Sequence, residues 1–201
     1  LDIKWYCNTR AHLVDKELLE MMRSAGCRGV SFGIESGSQR ILDSVGKNIK
    51  IDEAKNAIKW AKEAKIKTFC SFILGLPGEN WESVSETMRF VKETLPTSAQ
   101  FNVAVPYPGT KLYEDTYGKD VPNTDFRKLY QDSAVTGTAE LTPDDLNNAR
   151  EAAYRALYTS GRWWGSNLKH VITEPSDLDL AFRYALKIVN NFVFHKMKDA
   201  H

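Results

Sequence analysis

An alternation of two periods constrains this chain more than any other feature. Four short apolar segments, DIKWYC (Asp2–Cys7), Val30–Ile34, TFCSFIL (Thr68–Leu74) and AQFNVAV (Ala99–Val105), each lead into sequence whose apolar residues recur at helical spacing. Asp15 caps DKELLEMMRSAG, where Leu18, Leu19 and Met22 share a face and Gly26 supplies the stop. Ser38–Val45 reads as a short helix closed by Gly46. Asp52 opens a longer one to about Lys65, with Ala54, Ala57, Ile58 and Ala61 on one side. Trp81–Leu95 and Leu112–Thr116 complete the series. Strands separated by helices imply a parallel sheet, because parallel neighbours need a crossover. The expected class is therefore α/β, built from four successive βα units.

Open α/β sheets and βα barrels bind ligands beyond the carboxyl ends of their strands. The unusual residues all fall there: Asn8-Thr9-Arg10, Glu35-Ser36-Gly37, Gly75-Leu76-Pro77-Gly78 and Pro106-Tyr107-Pro108-Gly109. Glu35 ends a hydrophobic strand and has two readings. It either accepts hydrogen bonds at the N-terminus of the following helix, or points into a cleft where it binds paired hydroxyls such as those of a ribose. Gly37 would let a ligand approach the backbone. FILGLPGEN (Phe72–Asn80) ends a strand in a way expected to leave main-chain groups free to face an adenine-like base, with Ile73 and Leu76 as apolar contacts, although Pro77-Gly78 also suits a plain turn. The two prolines of PYPGT fix the exit from the fourth strand. Arg10 and Lys47 are cations near the same end, able to hold a ligand carboxylate; Lys47 equally suits a solvated helix end.

The rest of the composition narrows the chemistry. With 27 Lys plus Arg against 26 Asp plus Glu in 201 residues, there is no footprint for nucleic acid and no acidic tail. No apolar run approaches the ~18–20 residues that span a bilayer. Cys7, Cys27 and Cys70 show no CxxC spacing and read as ordinary buried thiols, in keeping with a reducing cytoplasm. His12, His170, His195 and His201 have no metal-ligand spacing, Trp163-Trp164 suits packing, and neither a Ser/His/Asp set nor a P-loop is present.

Beyond about Asn123 the rhythm changes. Thr142-Pro143-Asp144-Asp145 combines a cap, a first-turn proline and acids near a helix N-terminus, starting a helix to about Ser160. A second is expected from Ser176 to about Lys198, with Leu178, Ala181, Phe182, Ala185, Ile188, Val189 and Phe192 as its stripe. The chain thus divides into an α/β part, residues 1–122, and a mainly helical extension, residues 123–201.

Taken in order, WYCNTR, LLEMMRSAGCRGVSFGIESGSQRIL, Lys47, FILGLPGENWESVSETMRF and VPYPGTKLYE closely resemble the later half of a radical S-adenosylmethionine (radical SAM) enzyme core. The subgroup it is most similar to often carries a cobalamin-binding domain and includes anaerobic magnesium-protoporphyrin monomethyl ester cyclases and methyltransferases. The resemblance implies a partial TIM-type barrel, (β/α)6. It also implies roles position by position. Glu35, with Ser36 beside it, matches the ribose-binding acid or amide at the end of the fourth barrel strand. Lys47 falls where related enzymes place a cation for the methionine carboxylate. Ser71, Ile73, Gly75, Leu76 and Pro77 match the fifth strand, whose end contacts adenine and ribose. Val105 and Pro106 match the end of the sixth, near the adenine, and Arg10 ends the third, facing substrate or cofactor.

The CxxxCxxC loop that ligates the [4Fe–4S] cluster of such enzymes has no counterpart here. The resemblance therefore implies a fragment that supplies the nucleoside half of the S-adenosylmethionine site and is inactive alone. The cluster, and cobalamin if an upstream domain carries it, would belong to the full-length oxidoreductase or methyltransferase. Its partners would be a small-molecule substrate, the upstream part of the polypeptide and a reductant such as a flavodoxin or ferredoxin. Two rival readings remain: a non-catalytic assembly or substrate-docking domain, and an ordinary (β/α) barrel enzyme using Glu35 as acid or base.

Overall fold

The computed structural model describes residues 3–118 and 129–173. Its strands are β1 (Trp5–Thr9), β2 (Cys27–Glu35), β3 (Lys67–Leu74) and β4 (Ser98–Val103), in one sheet of order β1-β2-β3-β4. Every pairing is parallel, as the alternation requires. The helices are α1 (Lys16–Ser24), α2 (Gln39–Ser44), α3 (Ile51–Glu63), α4 (Trp81–Thr94), α5 (Lys111–Tyr117), α6 (Pro143–Tyr158) and α7 (Gly161–Thr173), with a 3-10 turn at Ala11–Leu13.

Local chemistry sets most of the boundaries. Asp15 accepts from Leu18 N–H at 2.8 Å, and Gly26, at φ 97°, ends the turn after α1. Thr142 and Asp145 cap each other at the start of α6. The third helix departs from expectation: it opens at Ile51, and Glu53, not Asp52, closes its first turn by accepting from Lys50 N–H at 2.7 Å. Sequence reasoning also missed α7, whose two glycines and tandem tryptophans form no readable stripe. The helix expected over 176–198 lies outside the described residues. The chain divides into two compact units, Leu1–Leu157 and Tyr158–His201. Within the second, Trp163 packs edge-on against Tyr158 at 4.9 Å, and Trp164 Nε1 donates to Tyr158 O.

Side chains alternate between two unlike faces of the sheet. Val30, Phe32, Ile34, Thr68, Cys70, Phe72, Leu74, Ala99, Phe101 and Val103 are buried. Phe72 stacks on Phe101 at 5.3 Å and meets Phe90 of α4 edge-on at 5.9 Å, a cluster in which each fully buried ring contributes about 2–3 kcal/mol. Register aligns the opposite face in rows: Asn8, Ser31, Phe69 and Ser98, then Gly33, Ser71 and Gln100, then Ile73 and Asn102. A parallel sheet covered on both sides would be apolar on both. Here the second face is largely polar and only partly covered.

The outer edge of β4 is sealed. Arg150 Nε donates to Phe101 O at 2.8 Å, Phe101 N–H donates to Tyr154 Oη at 3.1 Å, and Val103 N–H donates to Gln131 O at 2.9 Å. Helix α6 thus satisfies backbone groups that would otherwise invite another strand. Its Leu146 and Ala149 join Leu74, Val84, Val103, Ala134 and Leu141 in a second core cluster.

Candidate functional site

At the carboxyl end of β2 the regular register breaks. A bulge lies between Gly33 and Glu35, and Glu35 adopts a φ of 71°. For a residue with a side chain this left-handed backbone costs about 1 kcal/mol and persists only where the surroundings hold it. The distortion brings the carboxylate back over Gly33: a Cβ there would stand 2.7 Å from Glu35 Oε1 and 3.4 Å from Lys47 Nζ. Lys47, on the loop after α2, donates to Glu35 Oε1 at 2.8 Å, and both side chains keep access to solvent. The next residues in the row of Gly33 are Ser71 and Gln100. A carboxylate–ammonium pair, a hydroxyl and an amide therefore line up across three strands, about 10 Å at the usual strand spacing.

The helix-cap reading of Glu35 finds no support in the contacts at the mouth of α2. Gly37 N–H is taken by Thr87 Oγ1 at 2.9 Å and Ser38 N–H by Ser36 Oγ at 3.1 Å. Ser36 itself is fully buried, its hydroxyl 3.3 Å from Thr87 Oγ1. The glycine at 37 has a reason other than ligand approach. A Cβ there would lie 2.5 Å from Thr87 Cα and 2.8 Å from Phe90 Cβ, so it is the backbone of α4 that comes close.

The β3–α4 loop is also more engaged than its sequence suggests. Gly75 N–H is not free for a base, because it donates to Glu79 Oε2. Gly75 has a φ of 83°, and a Cβ on it would meet Leu146 Cδ1 at 2.8 Å. Leu74 O accepts from Ala104 N–H at 2.7 Å. Leu76 is half-buried, Pro77 exposed, and Ser71 and Ile73 lie on the open face. Val105 and Pro106 are buried at the end of β4, and Arg10 is exposed at the end of β1. Glu35, Lys47, Ser71 and Ile73 are thus gathered at one face and end of the sheet, whereas Ser36 faces the interior.

Sequence reasoning passed over Glu79. It is 1% exposed, and its Oε1 has no hydrogen-bond partner among the described residues. Burial pushes its carboxyl up to about 7, against the opposing pull of the Gly75 and Leu76 N–H groups and Arg40. No signal in the sequence marks it, since an acid in a strand-end turn reads as solvated until packing closes over the turn. Burial likewise pushes the Cys27 and Cys70 thiols up, while Cys7 is half-exposed.

These features define a parallel βα sheet with a polar wall at its carboxyl end. Residues 1–91 match the Radical SAM superfamily. The chain is 35% identical to an uncharacterized methyltransferase of Pyrococcus horikoshii over 79% of its own length and 35% of that protein's. It is 34% identical to the anaerobic magnesium-protoporphyrin IX monomethyl ester cyclase of Cereibacter sphaeroides, over 78% of this chain and 26% of that one. Archaeal Elp3 of Methanocaldococcus infernus shares the fold at a TM-score of 0.51 and 16% identity, over 79% of this chain and 42% of that one. Residues 1–91 are thus similar to the radical SAM superfamily, and the fold is a partial TIM-type barrel. It spans about a third of the first relative and a quarter of the second.

The superfamily uses S-adenosylmethionine and a [4Fe–4S] cluster. Among the described residues no group of three or more His, Cys, Asp or Glu is placed to hold a metal ion. Cys27 and Cys70 are sealed in the core, so these side chains do not fit a cluster. The polar wall does fit the nucleoside part of S-adenosylmethionine. It offers a carboxylate acceptor for vicinal hydroxyls, a glycine floor and an apolar contact at Ile73. Among the described residues no helix is long and apolar enough to cross a membrane.

Proposed function

We propose that this chain forms the nucleoside-binding wall of a radical SAM enzyme of the methyltransferase or cyclase kind. The observation that carries it is the strained Glu35, turned over Gly33 and paired with Lys47 on the open face of the sheet. A carboxylate held there offers two acceptor oxygens to a ribose diol, and the ammonium adds a donor for a ligand carboxylate. Ser71 and Ile73 extend the wall toward β4, and Val105 and Pro106 close its end. Arg10, exposed at the end of β1, would face substrate or cofactor. The cluster belongs to sequence beyond these residues, a division supported by the small share of each relative that the chain covers. In that arrangement residues 1–122 are the barrel part, with 123–201 as its helical extension, and this chain alone lacks turnover. The cyclase and methyltransferase names of the relatives support a small-molecule substrate; a one-electron reductant of the flavodoxin or ferredoxin type and cobalamin bound upstream complete the proposal. Thiols sealed in the core suit a reducing cytoplasm.

Titration of the chain with 5′-deoxyadenosine, followed by backbone amide NMR, tests the wall. Shifts are expected to cluster at Gly33–Gly37, Ser71–Leu76 and Ala104–Val105, and Glu35→Gln should weaken binding about tenfold, the loss of one charged hydrogen-bonding group. Shifts scattered elsewhere, or affinity unchanged in the variant, would remove Glu35 from the site.

A further inference from the structure

The β3–α4 loop, Gly75–Asn80, is fastened from several sides. Arg40 of α2 donates Nη1 to Gly78 O at 2.8 Å and Nη2 to Asn80 Oδ1 at 3.1 Å. Ser44 Oγ donates to Pro77 O at 3.3 Å, and Thr138 Oγ1 donates to Glu79 O at 2.9 Å. Glu79 N–H closes the turn onto Leu76 O at 2.9 Å. These fastenings come from a guanidinium, hydroxyls and backbone groups. The carboxylate of Glu79 is the exception. It reaches back inside the loop to the amide of Gly75, with its other oxygen buried and unpartnered among the described residues.

We infer that Glu79 is a protonation-gated positioning residue: ionised, it grips the Gly75 amide and fixes the strand-end loop, and protonated, it slackens that grip. The inference rests on the reading of this loop as part of the nucleoside wall. A carboxylate accepts from an N–H roughly twice as strongly as a neutral acyl oxygen, so the same side chain holds the loop with two different strengths. The unpartnered Oε1 is the physical reason the proton is retained: an ionised oxygen buried in that position has no donor among the described residues. The charge acting on it is Arg40, which favours the ionised form. Thr138 and Leu146, which meet the loop from the other side, are uncharged. Gly75 has little room to compensate, because Leu146 blocks it and its φ is already left-handed. Loosening the amide therefore displaces the chain between Ile73 and Pro77.

The test reads the unliganded chain by amide NMR from about pH 5 to about pH 9, a range that brackets neutrality and excludes an ordinary carboxylate. Gly75 and Leu76 are expected to titrate together with a midpoint near neutral. The curve should vanish in Glu79→Gln and persist in Glu53→Gln, which alters a helix start elsewhere. Should Glu79→Gln fail to fold, the carboxyl carbon of Glu79 in the unsubstituted chain reads the same midpoint directly. A midpoint in the ordinary carboxylate range, or a Gly75 curve that survives in Glu79→Gln, overturns the inference. A second arm measures 5′-deoxyadenosine affinity at about pH 6 and about pH 8. It should be three- to tenfold weaker at the lower value, and flat in Glu79→Gln; a flat profile in the unsubstituted chain overturns the gating. Failure to bind at any pH counts against the nucleoside wall instead, while the Gly75 titration still decides the role of Glu79.

Discussion

Lys47 Nζ lies 2.8 Å from Glu35 Oε1, and both groups crowd the space above Gly33. The pair holds a strained residue in place, and the missing side chain at 33 is what makes room for it. Gly33→Ala should therefore displace the carboxylate by filling its floor. Affinity for 5′-deoxyadenosine is expected to drop about tenfold, while the amide spectrum away from β2 stays unchanged. Retained affinity would show that the carboxylate does not bind from this position.

The backbone at Glu35 separates strain from ligand binding. Glycine visits positive φ freely, whereas alanine does not. Glu35→Gly and Glu35→Ala should lose ligand equally, yet the glycine variant should be more stable by about 1 kcal/mol. Urea denaturation of the two variants measures the difference, and equal stabilities would mean the surroundings impose no strain there.

Glu79 gives a stability signature of defined sign. Its carboxyl is raised from 4.5 to about 7 in the folded chain, so the folded state holds the proton more tightly than the unfolded one. Its contribution is complete below about 4.5 and is lost as pH rises through 7. The interval corresponds to at most about 3 kcal/mol. Relative to the unsubstituted chain, Glu79→Gln should gain stability between about pH 5 and about pH 8 by a large part of that amount. A constant difference across that range in urea melts would contradict it.

The sealed edge of β4 makes a fourth case. Arg150→Ala combined with Tyr154→Phe strips Phe101 of both side-chain partners, and an unsatisfied buried backbone group costs about 1–3 kcal/mol. The double variant should melt several degrees lower and self-associate in light scattering, since an exposed edge recruits further strands.

How much of this was legible in the sequence follows from the range of the interactions involved. The four strands and six of the described helices are local events: apolar periodicity, caps such as Asp15 and Thr142, and glycine stops report on residues a few positions away. The end of the sheet where the candidate site residues gather was equally readable, because the topology sends every strand-end loop to the same side. Glu35, Lys47, Ser71 and Ile73 could be picked out for that reason, and through resemblance to one family.

The remaining features depend on contacts between distant residues. Gly37 looks like a ligand-facing glycine until Thr87, fifty positions on, is seen to need its space. Ser36 looks like a companion of Glu35 until the same threonine claims its hydroxyl. Glu79 looks like a solvated turn acid until the loop closes over it. By itself the sequence determined a parallel βα sheet and the end where its chemistry gathers, since both follow from short-range pattern and chain connectivity. Only the tertiary structure decided which polar groups remain available there, because hydrogen-bond partners and burial are set by packing between elements far apart in the chain.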